Sequence, residues 1–210
     1  MLKSDRVHDW LMPSREIKRK SVHIIAGTII AYLVLLLTRE VLIILTVIGL
    51  VSTLLISCLV KKGFNIPVID WILESCERES AMMKLPGKGV IMFISSLLIL
   101  LLIIHDPVIV ASAILTLGLG DGFATIVGKN LGKHRLIGKK SIEGSLAFFC
   151  ASFIGLLFLL EPGFAIIAAF CGMLIEIIPQ EIVDDNLTIP LGVGLILMIL
   201  VGVGGGGSSI

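Results

Sequence analysis

Apolar residues along this chain gather into seven runs, at residues 21–37, 41–60, 89–104, 107–119, 146–160, 164–178 and 187–203. A helix that spans a bilayer wants about 20 such residues, within a range of roughly 17–25. The fourth, fifth and sixth runs hold only about 13 to 15. Flanking residues extend them, or they are broken helices shielded inside the protein. The pattern predicts an all-α fold, a polytopic transmembrane helical bundle of about seven spans, with six as the alternative.

Composition agrees with that reading. Of the 210 residues, 56% are hydrophobic and 16% charged, whereas a soluble domain carries about 25% charge. The net charge of +1 points to no nucleic-acid partner. Where the charge sits is more informative. Seven spans with a cytoplasmic N-terminus leave residues 1–20, 61–88, 121–145 and 179–186 on the inner side. Those segments hold every Lys and Arg except Arg39, the bias that the positive-inside rule predicts. The chain thus divides into a basic cytoplasmic segment (1–20), a membrane-embedded domain (21–203) and a flexible Gly/Ser tail (204–210). The first run has no small-residue cleavage site after it, so no signal peptide is expected. Cys58, Cys76, Cys150 and Cys171 form no metal-ligand spacing and read as small apolar residues.

Candidate chemistry concentrates in two inner segments. Between Gly118 and Ser145 the chain reads GLGDGFATIVGKNLGKHRLIGKKSIEGS, which predicts a glycine-rich, basic loop. Glycines such as Gly120, Gly128, Gly132 and Gly144 let backbone N–H groups approach phosphate oxygens. Lys129, Lys139 and Lys140 supply positive charge, with Ser141 beside them. Asp121 and Glu143 are the kind of carboxylates that hold Mg²⁺ together with phosphate oxygens. Neither the Walker A spacing nor a strand–GxGxxG–helix unit is present, so any phosphate site belongs to a membrane fold.

The second segment, EIIPQEIVDDNLTIP, carries Glu176, Glu181, Asp184 and Asp185 with no Lys or Arg. Glu176 ends an apolar run, where an ionisable group is expensive and usually functional. On the first helix, Arg19, His23 and Gly27 recur every four residues and share a face. His23 is suited to bind phosphate or move a proton; the plain alternative is a basic collar around a satisfied histidine. Lys88 stands at the start of the third helix, where phosphate can bind. Residues 65–79, around Trp71, suggest a short amphipathic interfacial helix.

Together these segments resemble the CTP-dependent polyprenol kinase family, which includes dolichol kinases, phytol kinases and CTP-dependent diacylglycerol kinases. The resemblance rests on Arg19-Lys20-x-x-His23-x-x-x-Gly27, on Pro86-Gly87-Lys88-Gly89, on Gly120-Asp121 through Gly128-x-x-x-Gly132 to Lys140-Ser141-x-Glu143-Gly144-Ser145, and on Asp184-Asp185-Asn186-x-x-x-Pro190. Phosphatidate cytidylyltransferases look like distant relatives, but their second signature near the C-terminus is absent. The resemblance implies transfer of the γ-phosphoryl of CTP to the hydroxyl of a membrane lipid alcohol at the cytoplasmic face, with Mg²⁺ as cofactor. It implies that Lys139 and Lys140 stabilise phosphates, helped by backbone near Gly128 and Gly132. Asp121, Glu143 and Asp185 would hold metal, Asp184 or Asp185 would orient or deprotonate the acceptor, and Asn186 would contact metal or ribose. A CDP-lipid synthase is the alternative enzyme. A transporter is the alternative of another class, although its path would call for charge at mid-membrane. Dolichol, other polyprenols, phytol-like alcohols and diacylglycerol all stay open as acceptors, as does the oligomeric state.

Overall fold

The computed structural model describes residues 4–64, 85–138, 140–178 and 184–204, with side chains from Ile17 to Gly202. Trp71 and the rest of 65–79, together with Lys139, Glu181 and residues 205–210, lie outside the described residues. Among the described residues eight α-helices follow one another: α1 (Ser4–Leu36), α2 (Arg39–Lys61), α3 (Lys88–Ile103), α4 (Pro107–Leu115), α5 (Gly122–Leu131), α6 (Ile142–Leu156), α7 (Pro162–Glu176) and α8 (Asp185–Gly204). A π-helical stretch, Thr116–Asp121, joins α4 to α5 without a break. The only pairing of extended backbone among the described residues is an isolated bridge between Arg135 and Ser141.

The bundle is all-helical, as the apolar runs predict. Among the described residues four helices are long and apolar enough to cross a membrane: Ile17–Leu36, Arg39–Lys61, Pro107–Leu131 and Asp185–Gly202. Lys88–Ile103, Ile142–Leu156 and Pro162–Glu176 are shorter and apolar. One expectation needs correction. The fourth run does not stop at Leu119; its helix runs on to Leu131 and is the longest of the four spans, at 25 residues. Gly118–Leu131 is therefore helix rather than glycine-rich loop. The basic N-terminal segment is likewise helical from Ser4 and continuous with the first span.

Local chemistry explains the helix starts. Asp106 accepts a hydrogen bond from the Val108 amide at 2.8 Å, with Pro107 at the first helical position of α4. That combination satisfies or removes donors left open at a helix N-terminus. Ser141 caps α6 by accepting from the Gly144 amide at 3.2 Å. Asp184 caps α8 by accepting from the Asn186 amide at 3.2 Å.

The axis of the bundle is α4. All its residues from Ile109 to Leu115 are buried, and it packs against α1 and α8. In lipid, apolar surface gives no preference for helix over tail, so close packing of small residues holds helices together. Here Gly27 of α1 meets Gly118 of the π-helical stretch. A Cβ on Gly27 would sit 2.9 Å from the Gly118 Cα, so only glycine allows this crossing. Large apolar side chains on the outer faces, such as Ile25 and Ile29 of α1 and Ile44, Ile48 and Leu55 of α2, are exposed, as lipid-facing positions should be.

Candidate active site

Hydrocarbon gives ionic groups no hydration, so a buried charge needs a partner. At one end of the bundle, α1, the π-helical stretch, the loop before α6 and the ends of α3, α7 and α8 bring such partners together. Lys20 of α1 donates a hydrogen bond to Asp121 Oδ2, at the end of the π-helical stretch. Lys20 is 5% exposed and Asp121 3%, a fully desolvated ion pair. His23, one turn further along α1, points Nε2 at the same carboxylate oxygen from 3.8 Å. That ring nitrogen is buried and makes no hydrogen bond, and the ring stands edge-on to Phe93 of α3.

A second cluster is built around Lys140. The loop that carries it closes on itself: the Leu136 amide donates to the Lys140 carbonyl at 3.0 Å, and the Lys140 amide to the Ile137 carbonyl at 3.0 Å. Gly138, with φ of 59°, takes the left-handed conformation that this turn requires. The loop turns the Lys140 ammonium inward, where it donates to Glu176 at 2.5 Å and to Asp185 at 3.2 Å. Both carboxylates are buried. Ser145 of α6 donates to the other oxygen of Glu176 at 3.3 Å. Burial disfavours the charge on Lys140, but Asp185 and Glu176 outweigh it and raise its pKa above the ordinary lysine value. The site therefore keeps this cation throughout the neutral range. The charges of Lys140 and Asp121 also act on one another, which links the two clusters.

A third pair is more open. Lys88, at the start of α3, reaches Asp184 at 3.1 Å with its side chain 43% exposed. Asn186 lies beside it: its Nδ2 would be 3.2 Å from a Cβ on Gly89.

Several sequence expectations now take a different form. Asp121, Glu143 and Asp185 do not assemble as a metal-holding trio; among the described residues no group of three or more His, Cys, Asp or Glu side chains does so. Glu143 is turned instead to His134, meeting its Nδ1 at 2.7 Å and its backbone amide at 3.2 Å. The glycines serve helix packing. Gly120 lies against Phe148 and Ser152, while Gly128, Gly132 and Gly144 crowd around Ser141. Lys129 is exposed on the last turn of α5. Asp184 is occupied by its cap and by Lys88.

Two central residues were harder to see in the sequence. Lys20 reads as one more member of a basic collar, and Glu176 as one of four acids in its segment, set apart by its place at the end of an apolar run. The available signal was position: Lys20 lies one turn before His23 on the same face, and Glu176 lies at an apolar run's end.

Comparison with known proteins places the chain. It is 35% identical over 185 residues to an uncharacterized protein of Methanocaldococcus jannaschii, covering 87% of this chain and 93% of that one. The chain belongs to the family of that protein. Similarity also extends to proteins named as phytol kinases. A probable chloroplastic phytol kinase of Triticum aestivum is 29% identical over 164 residues, which is 69% of this chain and 54% of the wheat protein. A phytol kinase of Synechocystis is 36% identical over 101 residues, 43% of each chain. The chain thus spans about half the length of these kinases at most. No protein-family model matches it, and no solved structure matches it.

Proposed function

We propose that this protein is a membrane lipid-alcohol kinase that uses CTP and Mg²⁺. The observation that carries the reading is the pairing of lysines with carboxylates at one end of a membrane bundle, at Lys20–Asp121, Lys140–Glu176/Asp185 and Lys88–Asp184. Phosphoryl transfer needs positioning and charge neutralisation more than covalent chemistry, and these are the groups that supply both. The similarity to phytol kinases supports the same reaction class; the choice of CTP rests on the motif resemblance.

Lys140 and Lys20 neutralise phosphate oxygens in this scheme. His23 Nε2, without a hydrogen-bond partner, accepts the proton of the acceptor hydroxyl. The hydroxyl oxygen forms a bond to the γ-phosphorus as the bond to the β-phosphate oxygen breaks, and CDP leaves. Asp121 holds the Lys20 ammonium and faces His23, so it orients both. Mg²⁺ takes oxygen ligands only and is commonly held by one or two carboxylates with phosphate and water. Glu176 and Asp185 fit that need, because their oxygens already converge on one cationic position. When bound, the ion neutralises charge on the transferring phosphates.

The test is a product assay on purified protein with labelled CTP, Mg²⁺ and a panel of polyprenols, phytol-like alcohols, diacylglycerol and phosphatidate. The expected outcome is a phosphorylated lipid alcohol with CDP released. A CDP-lipid with pyrophosphate would make the protein a cytidylyltransferase. No lipid product from folded protein would end the kinase reading.

A further inference from the structure

At the end of the bundle remote from the candidate site, a cavity of about 210 Å³ opens where α1 gives way to α2 and α3 to α4. Val34, Leu42, Leu101 and Val110 give it apolar walls, and Arg39 and His105 line it too. Arg39 Nε donates to the Leu101 carbonyl at 2.6 Å and Nη2 to the Leu102 carbonyl at 3.0 Å. Neither acceptor carries a charge. Among the described residues Nη1 makes no hydrogen bond and the guanidinium no ion pair. Thr38 gives the first amides of α2 no side-chain cap, so the same corner also carries the positive end of a helix dipole. Glu40, Asp106 and Glu161, the carboxylates at this end, pair with no cation among the described residues, and Asp106 accepts only the Val108 amide of its own helix. Arg39 stands between the spans Ile17–Leu36 and Arg39–Lys61. That is the edge of the hydrocarbon, where lipid phosphates lie.

We propose that this corner binds one phospholipid of the far leaflet, with a zwitterionic headgroup. The phosphate takes the open Nη1 edge of Arg39, a charge-assisted contact. Two carbonyls already hold the guanidinium in place, so little side-chain freedom is lost when the phosphate arrives. The headgroup amine suits the unpaired carboxylates beside it, Glu40 next in the chain and Asp106 at the start of α4. The upper part of an acyl chain fills the cavity against Leu42 and Leu101. A free phosphate ion would use Arg39 but leave those apolar walls without an occupant, which favours a lipid. Such a lipid joins the α1–α2 connection to the α3–α4 connection, which otherwise meet through the two Arg39 bonds. It is a structural ligand rather than a substrate. Roughly 20 Å of continuous helix separates Pro107, at the cavity, from Asp121, and the proposal stands without the kinase reading.

Native mass spectrometry of the whole chain tests this, with the protein stripped of lipid in detergent and titrated with dioleoylphosphatidylethanolamine. One lipid should bind ahead of all others. Arg39→Gln should weaken that first step about tenfold, the scale of one lost charge-assisted contact. The same lipid should raise the melting temperature of wild type and leave that of Arg39→Gln unmoved, since a ligand stabilises only the state that binds it. A statistical series of adducts, identical in wild type and Arg39→Gln, would sink the proposal, because lipid that merely surrounds a protein behaves so. Inorganic phosphate at millimolar concentration should not displace the lipid; displacement would make the corner an anion site without a lipid. Dioleoylphosphatidylglycerol, which has the same chains and no amine, should bind more weakly, and equal or tighter binding would overturn the zwitterionic assignment. If Arg39→Gln does not fold, Leu37→Trp takes its place. Leu37 lines the cavity and is partly buried, so the larger ring fills the space. A first binding step as strong in Leu37→Trp as in wild type would count against the cavity.

Discussion

Basic residues do different work at the two ends of this bundle. At the far end, Arg39 donates to the Leu101 carbonyl at 2.6 Å and to the Leu102 carbonyl at 3.0 Å. These are carbonyls in the last turn of α3, which no backbone amide satisfies, and a cation there also complements the helix dipole. At the site end, Lys20 and Lys140 are held by side-chain carboxylates. A backbone carbonyl offers a cation a fixed structural seat. A carboxylate can let go of a lysine in favour of phosphate and take another cation in return. The kind of partner, more than the positive charge itself, separates scaffold from candidate chemistry.

Four substitutions probe that contrast. The largest effect is expected from Asp121→Asn, which leaves Lys20 buried without its counter-charge and loses the orientation of His23. Phosphoryl transfer should fall by about a thousandfold or more while the helical circular dichroism spectrum persists. Near-normal turnover would take Asp121 out of the mechanism. Next, Lys140→Ala leaves Glu176 and Asp185 facing each other without a cation. KM for CTP should rise on the order of 10–100-fold, the scale of a lost charge-assisted contact; an unchanged CTP dependence would refute the assignment. Because the raised pKa keeps Lys140 cationic, its ion pairs should stabilise wild type fully at pH 7 and be lost only as pH climbs above the ordinary lysine range through that raised value. Thermal unfolding of wild type and Lys140→Ala should therefore differ at neutral pH and converge at strongly alkaline pH.

At the other end, Arg39→Ala should cost about 1–2 kcal/mol of stability, the scale of a hydrogen bond from a charged group, with kinase activity intact. Loss of activity in a stably folded Arg39→Ala protein would break the division between the two ends. The smallest effect on stability belongs to Lys88→Ala. Its pair with Asp184 is half open to solvent, and such pairs contribute about 0–1 kcal/mol. A larger shift in melting temperature than that of Arg39→Ala would reverse the ranking.

Much of the architecture was legible in the pattern of apolar runs, because hydrocarbon forces helical structure wherever the chain crosses it. The failure at Gly118–Leu131 has a physical cause. Glycine weakens an isolated helix, so a stretch with glycines at 118, 120, 122 and 128 reads as loop. Inside a bundle the same residues are contact points, and packing outweighs the local cost. The site was legible as a set of residue types, with Asp121, Lys140 and Asp185 all singled out. Their pairings were not. Lys20 and Asp121 are 101 positions apart, and Lys140 and Glu176 are 36 apart; nothing in local spacing joins them. Glu143 follows Lys140 by only three residues and so reads as part of the lysine cluster, whereas in the fold its carboxylate is paired with His134.

The π-helical stretch Thr116–Asp121 matters for how such sequences are altered and compared. A π turn behaves as an α-helix with one residue inserted. Everything after it is rotated by about 100° relative to an uninterrupted α-helix, the angle one residue subtends. That rotation lets α4 bury itself as the bundle's axis while the same continuous helix delivers Asp121 to Lys20. Deleting a single residue such as Leu119 would hardly change the hydropathy of the span, yet it would swing the carboxylate off its partner. A one-residue gap at this point is therefore a larger change than many substitutions elsewhere, and alignments that place it freely will misjudge which proteins share the site.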